Sequence, residues 1–262
     1  MTRLALLALL AAAPAVRAAA PASAPPDTTR ARALADDALA DSMRVDAVLA
    51  WVRQEDEARR QARPSGLRAR VAALRRQIAA PALLAVPPGA EALVDRQTAV
   101  VSGRFADTVG RGRWMLPMIE QALRGRGLPD ELKYVAVIES ALNPSATSPV
   151  GAAGLWQFMP DTAAEFGLDA WSVRDPMRST DAAVRFLDTL GRQFNGDWQL
   201  ALAAYNCGPG RVGRLVAAHR ARTGETPTFW DLRPSLPAET RDYVVRFIAA
   251  AQYFETHRDV EI

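Results

Sequence analysis

Between Glu131 and Pro160 the chain reads ELKYVAVIESALNPSATSPVGAAGLWQFMP, and no other stretch limits the fold as much. Leu132, Val135, Ala136, Ile138 and Leu142 fall at the spacings that build one apolar face of a helix. A single carboxylate, Glu139, sits near the C-terminal end of that run. Asn143-Pro144 is the expected stop, because the residue before a proline is pushed out of the α region. A small-residue segment with Gly151 and Gly154 follows, and then Leu155, Trp156, Gln157, Phe158 and Met159 arrive together. A carboxyl group among apolar neighbours, facing a glycine-lined turn, is how a general acid with a raised pKa is built.

The same helical period recurs along most of the chain. Residues 31–63 place Leu34, Ala38, Leu39, Met43, Val48, Leu49 and Val52 mostly three to five apart, and Pro64-Ser65-Gly66 breaks the pattern. Leu67, Val71, Leu74 and Ile78 then form the seam of a second helix, so residues 31–80 are expected to be a helical hairpin. Pro81 to Pro88 reads as a connector, residues 91–110 as one further helix and 117–125 as another, ended by Gly127. Pro129 takes the favoured first-turn position of the helix that carries Glu139. Past Pro160, Thr162-Ala-Ala-Glu165 has the capping-box pattern, with Gly167 as the stop. Ser179 or Thr180 is the expected start of a helix with Val184, Leu187, Leu190 and Phe194 inward and Gly196 beyond its end. Asp197 caps the next, which runs into Cys207-Gly-Pro-Gly210. A final long helix starts near Pro237 and carries Tyr243, Val244, Phe247, Ile248, Ala251 and Phe254 inward. No stretch alternates with period two for long, so the expected class is all-α.

A chain of 262 residues is long enough for a full core with an appendage. Its net charge of +3 gives no case for nucleic acid as a partner. Thr2-Arg3, the apolar run LALLALLAAAPAV and Val16-Arg17-Ala18 follow the pattern of a secretory signal peptide over residues 1–18. Residues 19–30, rich in Ala and Pro, read as a flexible tether. The expected location is therefore periplasmic or secreted, with no transmembrane segment once the signal is removed. Cys207 is the only cysteine, so no intramolecular disulfide forms and stability must come from packing. His219 and His257 stand far apart with no partners at ligand spacing, which predicts no metal. There is no nucleophile with a suitably placed histidine, no phosphate loop and no dinucleotide fingerprint, and no cofactor is expected.

What remains is carboxylate chemistry. Glycoside cleavage commonly uses two carboxylates roughly 5–5.5 Å or 6.5–9.5 Å apart. Glu131, eight residues before Glu139, would lie roughly 12 Å away along a helix axis. Asp161 and Glu165 belong to a capping segment. A lone acid suits a reaction in which the substrate supplies its own nucleophile, yet the residues alone also admit Glu139 as a helix-end carboxylate in water. Ser140 reads as structural, bonding within its helix. For Trp156 and Phe158, core packing and a sugar platform are both open.

Three ordered segments, AVIESALNPSATSPVGAAGLWQFMPDTA, ALAAYNCGPGRV and LPAETRDYV, resemble the catalytic domain of the lytic transglycosylases (the SLT domain). Leu116 to Gln121 and Leu128 to Ser140 bring the likeness nearest to the membrane-bound lytic murein transglycosylase D group. It covers about residues 90–255, with the catalytic domain expected at 114–256 after a connector and lead-in helix at 81–113. The resemblance implies a goose-lysozyme-like helical fold. It also implies cleavage of the β-1,4 bond between N-acetylmuramic acid and N-acetylglucosamine in peptidoglycan glycan strands, without water. Carried onto this chain, Glu139 protonates the glycosidic oxygen, then takes the proton of the muramic C6 hydroxyl as a 1,6-anhydro ring closes. A muramidase on the same fold, and a silent wall-binding protein, are the alternatives. Ser148 matches a serine that contacts the sugar N-acetyl group, Gln157 and Met159 match cleft-lining positions, and Tyr205 and Asn206 match the third motif, whose tyrosine lies near the acid. Tyr205 reads equally as a core tyrosine with a satisfied hydroxyl. Two departures stand out: Cys207 where members more often have alanine, and no lipobox or LysM repeats. They leave the 31–80 hairpin as the candidate for targeting or for binding a protein partner.

Overall fold

Two short helices with no polar face form the centre of the molecule. The structure is a computed structural model and describes residues 82–103 and 105–256, all of which fall in one compact unit. The expected signal segment 1–18, tether 19–30 and hairpin 31–80 lie outside the described residues. In chain order the elements are α1 (Glu91–Ser102), α2 (Phe105–Gly125), a 3-10 turn (Asp130–Lys133), α3 (Tyr134–Ser140) and α4 (Pro160–Glu165). Then come α5 (Pro176–Gln193), α6 (Trp198–Cys207), α7 (Pro209–Thr223), α8 (Phe229–Leu232), a second 3-10 turn (Arg233–Ser235) and α9 (Ala238–Thr256). Among the described residues β structure is limited to isolated bridges, Thr147 with Ala153 and Ala153 with Phe158. The fold is all-α, as the spacing predicts.

The two central helices are α3 and α6. Tyr134 to Ile138 are all buried in α3, and Trp198 to Asn206 are all buried in α6. The sequence reading assigns α3 one apolar face, but a helix apolar on every side belongs inside a core. Around them α9 packs against α1, α3 and α6, and α5 against α2 and α6. Ala249, Ala250 and Ala251 on α9 and Ala201, Ala203 and Ala204 on α6 are fully buried. Side chains this small let helix axes approach closely. Gln199 of α6 directs its Nε2 at the carbonyls of Leu83 (3.0 Å) and Ala85 (2.8 Å), which ties the 82–90 segment to the core.

Four local expectations are corrected. The single helix expected over 91–110 ends at Ser102, and α2 runs from Phe105 to Gly125 straight through Pro117. A proline inside a helix costs about 3 kcal/mol. Its flanking residues Met118 and Ile119 are fully buried, each contributing about 1.5–3 kcal/mol, so packing outweighs the lost bond. The capping box at Thr162 is not made. α4 begins two residues earlier, with Pro160 in its first turn and Met159 as an N-cap without a side-chain bond, while Gly167 does end it at φ +79°. The start expected at Ser179 or Thr180 lies at Pro176, because the Asp175 carboxylate accepts from the amides of Met177 and Arg178. Pro129 precedes a 3-10 turn rather than opening α3 itself. Asp197 caps α6 by accepting from Leu200, as expected.

Candidate active site

Glu139 occupies the last turn of α3 and is half-buried. That helix stops three residues before the expected Asn143, since Ala141 and Leu142 both take left-handed backbone angles (φ 51° and 59°). Such angles are strained for residues with a Cβ and persist only where surroundings hold them. Here Leu142 is fully buried, and Arg111 Nε donates to the Ala141 carbonyl at 2.9 Å. A carboxylate near a helix C-terminus meets the negative end of the dipole. The Tyr243 hydroxyl, from α9, donates to Glu139 Oε1 at 3.0 Å.

The segment after α3 folds back over it through polar bonds. Ser140 Oγ donates to the Leu155 carbonyl (2.8 Å), with the Ala136 carbonyl of its own helix as the longer alternative acceptor (3.2 Å), and it accepts from the Asn143 amide. Ser148 is buried. Its amide donates to the Ala152 carbonyl, and its Oγ accepts from the Ala152 amide at 2.9 Å. Gln157, also buried and left-handed at φ 50°, donates through Nε2 to the carbonyls of Gly154 (2.8 Å) and Ala146 (3.3 Å). Gly154 is irreplaceable on steric grounds: a Cβ there would lie 2.0 Å from the Val173 carbonyl oxygen. The close approach that Gly154 permits is therefore to the 168–175 turn. Gly151 has open space around its α-carbon and needs glycine only for φ +87°.

Among the other sequence candidates, Met159 is half-buried at the start of α4. The Tyr205 hydroxyl donates to the backbone carbonyl of Trp156 at 2.8 Å. Asn206 Oδ1 accepts from Thr240 Oγ1 at 2.7 Å, a buried bond that joins the third motif to the LPAETRDYV segment. Trp156 is fully buried, with Nε1 donating to Thr180 Oγ1, and Phe158 packs at tilted angles in a cluster with Phe166 and Phe186; both are core residues. Cys207 is half-buried and in no disulfide. The residue that sequence reasoning missed is Tyr243, which it placed on α9 only as a core position. A tyrosine on an apolar face needs a partner for its hydroxyl, and that requirement was the available signal. Asp161 and Glu165 are exposed, and Glu131 stands in the 3-10 turn ahead of α3. Among the described residues no three His, Cys, Asp or Glu side chains gather as metal ligands. No described helix is long and apolar enough to cross a membrane.

Residues 117–226 match the family described as Transglycosylase SLT domain. This segment is similar to an SLT domain. It opens inside α2 and takes in Glu139, the loop after it and the Tyr205-Asn206 pair. Tyr243 and Thr240, which complete the site, lie beyond its matched end. The chain is 38% identical over 140 residues to the Membrane-bound lytic murein transglycosylase D of Escherichia coli strain K12, covering 52% of this chain and 30% of that one. It is 35% identical over 139 residues to the Soluble lytic murein transglycosylase of the same strain, covering 50% and 21%. The chain thus spans less than a third of the length of either relative. The crystal structure of the 70 kDa soluble lytic transglycosylase of Escherichia coli superposes with a TM-score of 0.47 at 25% identity, covering 64% of this chain and 30% of that one.

Proposed function

We propose that this chain is a peptidoglycan lytic transglycosylase of the cell envelope, with Glu139 acting first as acid and then as base. The single observation that carries the reading is the setting of Glu139: one half-buried carboxylate at the end of a buried helix, held at Oε1 by the Tyr243 hydroxyl. The negative end of α3 disfavours a charged carboxylate, which suits the proton-donating step. A hydroxyl donating to the carboxylate favours its charged form, which suits the proton-accepting step. In the first step the Glu139 proton goes to the glycosidic oxygen as the bond to the muramic C1 breaks. In the second, Glu139 takes the C6 hydroxyl proton as O6 bonds to C1, closing the 1,6-anhydro ring without water. Most of the relatives are named as murein or peptidoglycan transglycosylases, which supports the substrate class. Ser148, Gln157, Met159, Tyr205 and Asn206 are proposed to shape the cleft beside Glu139, Ser148 and Gln157 by fixing its loop.

The test is mass spectrometry of the soluble products released from purified peptidoglycan. Muramic ends lighter than the reducing sugar by one water are expected. Reducing ends would replace the proposal with hydrolysis, and intact binding without products would leave a wall-binding protein.

A further inference from the structure

Trp171 has a relative exposure of 86%, the highest of any large apolar side chain among the described residues. The backbone beneath it is held firmly. Asp169 Oδ1 accepts from the Trp171 amide (3.0 Å), the Ser172 amide (2.7 Å) and Ser172 Oγ (2.7 Å), and the Asp169 amide donates to Ser172 Oγ at 2.8 Å. The Val173 amide donates to the Asp169 carbonyl and the Arg174 amide to the Trp171 carbonyl. The turn's backbone is thus braced, and the indole it carries lies open to solvent.

That turn is fastened to the loop beside Glu139 at two points. The Val173 carbonyl fills the space where Gly154 lacks a Cβ, and Arg174 Nη2 donates to Thr147 Oγ1 at 2.9 Å. Gly154 adjoins Leu155, whose carbonyl accepts from Ser140, the neighbour of Glu139. Trp171 is two residues from Val173, at most roughly 7 Å along the chain. The turn that carries Trp171 is thus joined through Gly154, Leu155 and Ser140 to the end of the helix that carries Glu139.

We propose that Trp171 is a stacking platform for a sugar of the glycan strand outside the position cleaved at Glu139; this rests on the reading of the site as one that acts on such a strand. A pyranose ring has an apolar C–H face and polar edges. An exposed indole on a braced turn accepts that face while the hydroxyls stay in water. A polymer running past Glu139 can engage it with a distal unit, whereas a short oligomer cannot. A protein partner fits less well: a stable interface buries about 800 Å² on each side, and a tryptophan offers about 150–250 Å².

The test uses the full chain and two substrates, insoluble peptidoglycan and a short soluble glycan oligomer. For Trp171→Ala, retention on the insoluble wall is expected to fall about five- to tenfold, the loss of one aromatic contact. Cleavage of the short oligomer and the melting temperature are expected to stay unchanged, and Trp171→Phe to keep most of the retention. Unchanged wall retention in the alanine variant overturns the platform. So does a shift in oligomeric state on gel filtration, which would make Trp171 a contact between copies. Should the native chain cleave neither substrate, the proposed function fails, while a retention difference still supports the platform.

Discussion

Helix α3 and the loop 143–158 that follows it adjoin each other at Glu139, yet they are held by different physics. The helix pairs its own backbone groups and is fixed by apolar packing, with Val135 and Ala136 fully buried. The loop has no helical ladder, and its buried amides and carbonyls must still find partners. Some pair across the loop itself, as Ala153 with Phe158 and the Gly154 amide with the Ala146 carbonyl, and side chains serve others: Ser140 to Leu155, Ser148 to Ala152, Gln157 to Ala146 and Gly154, and Tyr205 to Trp156. Ser148, Gln157 and Tyr205, which the family resemblance assigns to substrate, are therefore also braces of the backbone that frames the acid.

The sharpest break in that contrast separates chemistry from architecture. Glu139→Gln is expected to lower release of soluble peptidoglycan fragments about 10³-fold, with the melting temperature unchanged because the carboxylate is not a brace. A large loss of stability instead would make Glu139 structural. Gly154→Ala should cost about 3 kcal/mol or more in urea unfolding, since the added Cβ meets the Val173 carbonyl at a left-handed residue; a neutral change would show that the loop yields.

Tyr243→Phe removes the donor to Glu139 and is expected to lower kcat about tenfold with KM little changed, a hydrogen bond to a charged group being worth about 1.5–3 kcal/mol. Tyr205→Phe leaves the buried Trp156 carbonyl without that donor and should cost about 1–2 kcal/mol of stability. If it lowered kcat at full stability, Tyr205 would belong with Tyr243. The smallest effect concerns the Asp169 turn. The Ser172 amide and hydroxyl and the Trp171 amide hold the Asp169 carboxyl below its usual 3.8. A depressed folded value means the turn's contribution is complete above about pH 4 and fades as pH falls through the folded value. Amide exchange at Trp171 and Ser172 should stay slow from neutral pH down to the ordinary aspartate range and quicken only below it.

Much of the fold was legible because helices follow local rules. Asp197 and Gly167 act as cap and stop, and α9 buries the six residues its spacing selects. The misses arose where a distant contact overrode a local signal. Pro117 stays inside α2 because Met118 and Ile119 are buried, and Asp175 takes the start from Ser179. The end of α3 comes early because Arg111 and the burial of Leu142 sustain two left-handed residues.

By itself the sequence determined the all-α class, the single carboxylate at the close of an apolar run, and the ordered motifs that resemble an SLT domain. All of these rest on neighbours within a few turns. Only the tertiary structure decided which tyrosine reaches Glu139. Tyr205 and Tyr243 are both buried on their helices, and spacing along a helix says which face is buried but not what that face meets. Tyr243 lies 104 residues from Glu139 along the chain, and the packing of α9 on α3 brings its hydroxyl to the carboxylate.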